Sequence, residues 1–148
     1  MEYRVRYIGK LTAQQRPLGV AKNINGRTIV KQVDRKASRD FKSVVHLLAE
    51  DELIRSGGLP INEACKVTIA TTLELPASMS KKKRAEALAG MVLPTKRPDL
   101  DNLAKGILDA FNKVLFADDK LVTELHVTKR YGINEGFVAI VETIEPEF

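Results

Sequence analysis

Cysteine, tryptophan and histidine are scarce in this chain. Cys65 is the only cysteine, tryptophan is absent, and the histidines are His46 and His126. A single cysteine excludes an internal disulfide and every zinc site built on several cysteines, and two histidines are too few for a metal centre made of imidazoles. No apolar run approaches the ~20 residues of a membrane-spanning helix, and the charged, alternating start lacks the pattern of a signal peptide. We therefore expect no membrane association and a cytoplasmic location.

Acidic residues are scarce in the first third of the chain. The formal net charge is +5, but residues 1–42 hold 11 lysines and arginines against Glu2, Asp34 and Asp40, a balance of +8. The remainder holds 13 basic against 16 acidic residues, a balance of −3. A basic amino-terminal region beside an acidic remainder favours a polyanionic partner such as nucleic acid. A basic soluble protein without such a partner is the alternative that charge alone leaves open.

The apolar patterns predict one α+β domain over residues 1–148. Alternation with period two predicts strands at residues 3–8, 67–75 and 121–131, and a nearly continuous apolar run predicts another at 137–141. Apolar spacings of three and four predict helices over residues 34–55, 80–90 and 102–115, with Asp34 and Ser80 as N-caps. We expect a small, mostly antiparallel mixed sheet flanked by helices, with the last two strands paired as an antiparallel hairpin.

A long basic segment follows the first strand. Residues 9–27 are rich in Gly, Gln, Asn and Arg, so we expect a loop with a turn at Asn25-Gly26 and a short strand at 28–30. The next helix begins with several cations, which its dipole disfavours, and an anionic ligand would compensate them. The candidate phosphate contacts are Arg16, Lys22, Arg27, Lys31, Lys36, Arg39, Lys81 and Lys82. A solvated surface connection is the alternative for the loop, and a solvated helix start is the alternative for Lys81 and Lys82.

Two closely spaced carboxylates precede the third predicted helix. Asp99 and Asp101 follow Pro98, which disfavours the α region at the residue before it, so the chain should enter this stretch extended. Residues i and i+2 of an extended segment project to the same side, whereas in a helix they lie about 200° apart. Both carboxylates can therefore face one cation only if the helix begins at or after Asp101. The spacing alone favours a different interpretation, in which they cap the helix and Asp101 forms an ion pair with Lys105.

A second acidic pair, Asp118-Asp119, lies beyond that helix. A hard cation such as Mg²⁺ takes oxygen ligands and is often held by one or two carboxylates together with substrate phosphate oxygens. Asp99, Asp101 and one member of the second pair would supply such a site, which phosphodiester hydrolysis needs. Asp118-Asp119 taken by itself is typical of a turn.

The acidic segments together resemble the signature of RusA-type Holliday junction resolvases. The resemblance is carried by residues 97–105 (RPDLDNLAK), 107–110 (ILDA) and 118–122 (DDKLV), and the segments 80–90 and 129–132 resemble phage-type members. It implies a homodimeric, Mg²⁺-dependent endonuclease, with Mn²⁺ as a second candidate metal, that nicks four-way DNA junctions symmetrically. It also implies that Asp99, Asp101 and Asp119 are catalytic metal ligands, that Lys105 is catalytic, and that Asp118 is a further candidate ligand. Gln14 to Leu18 departs from the family, which often has a more basic run there.

The position of Asp119 raises a geometric question. A helix over residues 102–115 would rise ~20 Å and carry Asp119 far from Asp99 and Asp101 of the same chain. Either the helix is shorter and the following loop folds back, or the partner subunit of a two-fold dimer supplies Asp119. Two functions of other classes stay open: a structure-specific DNA-binding module without catalysis, and a metal-dependent phosphohydrolase of small nucleotides. The basic region argues against the second, because its charge favours a long polyanion.

Overall fold

The structure, a computed structural model, describes residues 1–146. Its strands are β1 (Glu2–Ile8), β2 (Leu18–Ile24), β3 (Arg27–Val33), β4 (Cys65–Glu74), β5 (Val122–Gly132) and β6 (Gly136–Thr143). Its helices are α1 (Lys36–Arg55), α2 (Lys81–Leu88) and α3 (Leu100–Phe111), and a 3₁₀ turn (Asp119–Leu121) precedes β5. Helices beside a mostly antiparallel sheet confirm the α+β class.

The main sheet has the strand order β1-β6-β4-β5. β6 pairs antiparallel with both β1 and β4, and β5 pairs parallel with β4. The expected β5–β6 hairpin is therefore wrong, because β4 lies between those two strands. Two features explain this order. The segment from β4 through α3 to β5 is a crossover connection, which places β5 parallel to β4. The apolar strand β6 takes a central position between β1 and β4, with one face buried in the core.

The predicted basic loop is instead a two-stranded ribbon made of β2 and β3. The strands pair antiparallel from Leu18–Val33 to Ile24–Arg27, and neither joins the main sheet. Asn25 and Gly26 have φ of 51° and 77°, as a two-residue type I′ hairpin turn requires. The turn is thus where the sequence predicts it, but β2 was missed because its alternation has no buried face. Almost every ribbon residue is exposed.

The core lies between one face of the main sheet and the helices α1 and α3. Alternate residues of β4, including Val67 and Ile69, are fully buried against helix residues such as Val45 and Ile107. Apolar spacing in α1 predicts one buried stripe made of Phe41, Val44, Val45 and Leu48. The stripe is shifted slightly, since Val44 is 46% exposed while Phe41 and Val45 are buried. The opposite face of the sheet is more open, since β4 residues there such as Thr68 and Ala70 are half-buried or exposed. α3 packs its apolar side against the core and leaves its polar side exposed to solvent. None of the described helices is long and apolar enough to span a membrane.

Candidate active site

Asp99 and Asp101 lie at the start of α3. Asp99 is the N-cap residue, with extended backbone (φ −70°, ψ 138°), and its carbonyl accepts a hydrogen bond from the Leu103 amide at 3.1 Å. The helix begins at Leu100, one residue earlier than two aligned carboxylates were expected to require, so Asp101 belongs to its first turn. That expectation about the helix start is wrong. The condition for a shared cation is therefore too strict. Asp99 lies outside the helix with extended backbone, so the separation of about 200° between two helical residues does not apply to this pair.

Neither carboxylate takes the structural role that spacing alone favoured. The Asp99 side chain makes no capping hydrogen bond, although it occupies the capping position. Lys105 pairs with Asp109 at 3.5 Å, and residues 1–146 show no Asp101–Lys105 ion pair. Asp99 and Asp101 are both exposed, and no side chain caps the amides at this helix end. Two unengaged carboxylates on exposed backbone are a donor set that a hard divalent cation fits.

Asp118 and Asp119, the second acidic pair, differ in their hydrogen bonds and in their exposure to solvent. Asp118 is the N-cap of the 3₁₀ turn, and its Oδ1 accepts a hydrogen bond from the Lys120 amide at 3.0 Å. That bond, helped by the adjacent Asp119 side chain and by the charges of Lys120 and Lys113, holds the pKa of Asp118 below its usual value. Asp118 thus has the turn role expected of such a pair. Asp119 is exposed, so it is the better placed of the two to act as a metal ligand.

Strand β5 separates the two acidic segments within one chain. The Lys129 ammonium, near the end of β5, donates to the carbonyls of Lys96 (2.9 Å) and Pro98 (3.0 Å), and so holds the residues before Asp99 at that end of the strand. β5 begins at Val122, about 23 Å before Lys129 along the strand axis, and Asp119 lies just before that start. A cation binds carboxylate oxygens at about 2.0–2.6 Å. Accordingly, residues 1–146 contain no group of three potential metal ligands.

The early end of α3 does not remove this separation. The helix stops at Phe111 rather than near residue 115, and Lys113 then adopts a positive φ of 64°. The chain continues past Ile61, whose carbonyl accepts a hydrogen bond from the Ala117 amide at 2.8 Å. It then enters β5 at the edge of the sheet where the parallel strand β4 also begins. The helix is therefore shorter than expected, but the loop does not return to Asp99.

An ion network lies beside Lys105. The Lys42 ammonium contacts Asp34 and lies 3.8 Å from Asp109, which in turn contacts Lys105. The hydrogen bond from Lys42 holds the pKa of Asp34 below its usual value, with smaller contributions from Gln14 and from the charge of Lys105. The expectation that Asp34 caps α1 is wrong, because its carboxylate is engaged in this network and Arg35 is the N-cap residue. Internal carboxylates thus compensate one of the cations at the start of α1.

Hydrogen bonds attach the root of the basic ribbon to this region. The Gln14 amide donates to the Asn102 carbonyl at 3.1 Å, and its side chain donates to Asp34 at 3.2 Å. The Gln15 amide donates to the Ser38 hydroxyl, and Arg35 donates to the Arg16 carbonyl. The segment before β2 and the segment after β3 are therefore both held beside the first turn of α3, next to Asp101.

The candidate DNA contacts occupy three places. Arg16, Lys22, Arg27 and Lys31 belong to the ribbon or its root, Lys36 and Arg39 lie in the first turn of α1, and Lys81 and Lys82 open α2. All of them are exposed. Ser80 caps α2 as expected, since its hydroxyl accepts from the Lys83 amide at 3.2 Å. The structure brings the root of the ribbon next to the acidic site. Ser80 and Lys83, at the start of α2, line a cavity together with Lys96, on the segment that leads to Asp99.

Three site-supporting residues escaped sequence reasoning, namely Gln14, Lys42 and Lys129. Lys42 is one of the cations near the start of α1, and Lys129 belongs to the family-like segment 129–132, but the sequence gives neither residue a partner. Each contacts a residue that is distant in the chain. Gln14 and Asp34 are 20 residues apart, Lys42 and Asp109 are 67 apart, and Lys129 and Pro98 are 31 apart. No local pattern encodes such pairings.

Comparison with known proteins matches nearly the whole chain. A family model described as Endodeoxyribonuclease RusA matches residues 9–141. A curated relative, Uncharacterized protein YqaN of Bacillus subtilis (strain 168), is 35% identical over 127 residues, which cover 84% of this chain and 84% of that protein. The matched residues include the basic ribbon, both acidic segments and β5.

Proposed function

We propose, for a chain that belongs to the RusA family of endodeoxyribonucleases, that Asp99, Asp101 and Asp119 hold a divalent cation at a site shared by two subunits. Membership makes the protein an endodeoxyribonuclease, a hydrolase of phosphodiester bonds in DNA, whose family acts on Holliday junctions and depends on a divalent metal. The proposal adds Mg²⁺ as the metal, with Mn²⁺ as a substitute, and symmetric resolution of junctions in DNA recombination and repair. The observation that carries it is the pair of unengaged carboxylates at the start of α3.

The chemistry assigned to this site needs only a few groups. A bound divalent cation would lower the pKa of water and offset the negative charge that develops on the phosphate. Asp99, Asp101 and Asp119 would be its ligands. The uncapped amides at the start of α3 and the positive end of its dipole favour a phosphate there. Lys105, one helical turn after Asp101, would place its ammonium beside that phosphate, and Asp109 holds it on this face of the helix.

A two-fold dimer would supply the missing carboxylate. β5 is an edge strand, and its outer side faces no other strand of residues 1–146. If two copies of β5 lie antiparallel around a two-fold axis, the beginning of each strand comes beside the end of its partner. Asp119 of one subunit would then approach Asp99 and Asp101 of the other. This arrangement also produces two equivalent sites, which symmetric cutting of a four-way junction requires.

Mixing two inactive variants tests the shared site. Co-refolding Asp99→Asn chains with Asp119→Asn chains should give roughly half mixed dimers, each with one intact site if the sites are shared. We expect nicking of a labelled junction to return to about a quarter of the wild-type level, without paired cuts. Mixing Asp99→Asn with Asp101→Asn is the matched control and should stay inactive. Uniformly inactive mixtures of the first pair would refute the shared site.

Cleavage of a synthetic four-way junction tests the function itself. We expect Mg²⁺-dependent paired nicks from the wild type, none from Asp101→Asn, and wild-type behaviour from Asp40→Asn, an exposed aspartate of α1. Binding without nicking at any Mg²⁺ or Mn²⁺ concentration would favour a DNA-binding module. Efficient hydrolysis of mononucleotides would favour the phosphohydrolase.

The proposal also includes a cellular location and a domain organisation. We place the enzyme in the cytoplasm because its substrate is branched DNA, and we treat residues 1–148 as a single catalytic domain because the family match spans most of them. Size and mass measurements of the purified protein check the dimer, and limited proteolysis checks the single domain.

A further inference from the structure

One face of the β2–β3 ribbon combines apolar and basic side chains in a regular pattern. Residues paired across antiparallel strands share a face, and faces alternate along the strand. Three successive pairs on one face each join an apolar side chain to a cation: Ile24–Arg27, Lys22–Ile29 and Val20–Lys31. The pairs on the opposite face carry no charge: Asn23–Thr28, Ala21–Val30 and Gly19–Gln32. We call the first of these the mixed face.

The apolar side chains of the mixed face have no cover in the described structure. Ile24, Ile29 and Val20 are 50%, 49% and 40% exposed. An isolated two-stranded hairpin is marginally stable, and clustered exposed apolar groups usually mark a binding surface. Charge indicates what binds there: residues 9–33 contain five lysines and arginines and no aspartate or glutamate. The surface is therefore complementary to a polyanion that also offers apolar contact, and DNA has both phosphates and base faces.

We propose that the mixed face binds junction DNA, with its cations on the phosphates and Ile24 inserted between bases at the branch point. The inference rests on the proposed function. Proteins that insert apolar side chains into DNA must unstack a base step, which costs a few kcal/mol in a duplex. Bases at a branch point are stacked less completely, so the cost is lower there. An apolar tip on a basic ribbon would thus distinguish branched from linear DNA without reading sequence.

The dimensions of the ribbon suit this role. Its strands lie about 4.8 Å apart, and a two-stranded ribbon enters a DNA groove about 12 Å wide. Ile24 adjoins the turn, and six residues of extended chain place it about 20 Å from the ribbon root. That root is held against Asn102 through the Gln14 amide. The tip can therefore contact DNA about one duplex diameter from the acidic site while its root stays fixed to α3.

Fluorescence of 2-aminopurine at the branch point separates the apolar from the electrostatic contribution. We use metal-free protein, so that DNA stays intact, and compare wild type, Ile24→Ser, Lys22→Gln and Val30→Ser. Val30 is the matched control, because it is apolar, 63% exposed and on the opposite face of the same ribbon. We expect binding of the wild type to raise the fluorescence, and Ile24→Ser to abolish the rise and reduce the preference for junction over duplex by about 10-fold.

The salt dependence of binding supplies the second measurement. Lys22→Gln should keep the fluorescence rise but lower the slope of log K against log salt by about 0.9, whereas Ile24→Ser should leave the slope unchanged. Val30→Ser should match the wild type in both. A wild-type fluorescence rise that Ile24→Ser retains would overturn the inference. So would equal losses in Ile24→Ser and Val30→Ser, or a change of oligomeric state in Ile24→Ser, which would assign the mixed face to a second copy of the chain.

The fluorescence experiment, together with cleavage of the same junction in the presence of Mg²⁺, distinguishes failure of this inference from failure of the proposed function. A wild type that binds and cuts junctions without raising the fluorescence would refute insertion and leave the nuclease intact. A wild type that neither binds nor cuts four-way DNA would refute the proposed function, and the inference with it.

Discussion

Replacing Lys129 with methionine should slow DNA cleavage while leaving the fold in place. The lysine stem is retained in length, but the ammonium that donates to the Lys96 and Pro98 carbonyls is lost. Those two hydrogen bonds are the described contacts that tie the chain just before Asp99 to β5. Without them, the segment that carries the first candidate ligand can leave its position at the end of the strand.

The expected size of the effect follows from these two bonds. Hydrogen bonds from a charged donor contribute about 1.5–3 kcal/mol each when well shielded, and partial exposure of Lys129 reduces this value. If about 2 kcal/mol of positioning is lost, the cleavage rate falls roughly 30-fold. Because a less well placed Asp99 also weakens cation binding, half-maximal activity should require a higher Mg²⁺ concentration. A residue that only supports the fold would change neither quantity well below the melting temperature.

Single-turnover cleavage of a junction, titrated with Mg²⁺, measures both effects. Lys129→Arg keeps a donor and should recover part of the activity. Lys66→Met is the matched control, because Lys66 is also half-buried but projects from the open face of β4. Wild-type rates and an unchanged Mg²⁺ requirement for Lys129→Met would refute the positioning role, as would an equal loss in Lys66→Met.

Three further substitutions, measured by denaturation, test the packing and electrostatics of the fold. Gly106→Ala in α3 should stabilise the protein by about 0.5–1 kcal/mol, because the new methyl group meets no atom closer than 4.0 Å and alanine favours a helix; a lower melting temperature would contradict this. Asp34→Asn should be less stable than wild type near neutral pH. Since Lys42 lowers the folded pKa of Asp34 below its usual 3.8, this difference should vanish as the pH falls through the lowered pKa, and a difference that persists in acid would contradict it. Gly58→Ala should cost more than the roughly 1 kcal/mol expected for Tyr3→Phe, because its Cβ would overlap the buried Tyr3 hydroxyl; the double variant should recover part of that loss.

The sequence predicts elements well where the pattern is local and one face is buried. Alternation identified β1 and β4, Ser80 marked the start of α2, and Asn25-Gly26 marked the ribbon turn. β2 was missed because the ribbon buries neither face, so its alternation predicts no core. The β5–β6 hairpin was wrong because strand order depends on the crossover through α3. The strand order β1-β6-β4-β5 cannot be deduced from any two segments that are neighbours in the sequence.

The candidate site also has features that local spacing predicts and features that depend on distant parts of the chain. Asp99, Asp101 and Lys105 are close in the chain, and their spacing together with the second acidic pair was enough to identify the family, which the match over residues 9–141 confirms. The position of Asp119 relative to them is set by the whole length of β5, so local spacing left it open. The sequence also could not predict that the Asp99 side chain is exposed and makes no capping hydrogen bond, since an aspartate before a helix ordinarily caps it.

The same strand that separates the carboxylates within one chain would bring them together in the proposed dimer. β5 runs about 33 Å over its 11 residues, with Asp119 before its start and the Asp99 segment held near its end by Lys129. In an antiparallel pair of such strands, each end would carry one complete set of three carboxylates. The distance between the two sites would then be fixed by strand length rather than by flexible loops. A rigid separation of this order, somewhat more than one duplex diameter, suits an enzyme that must cut two strands of one junction at symmetric positions.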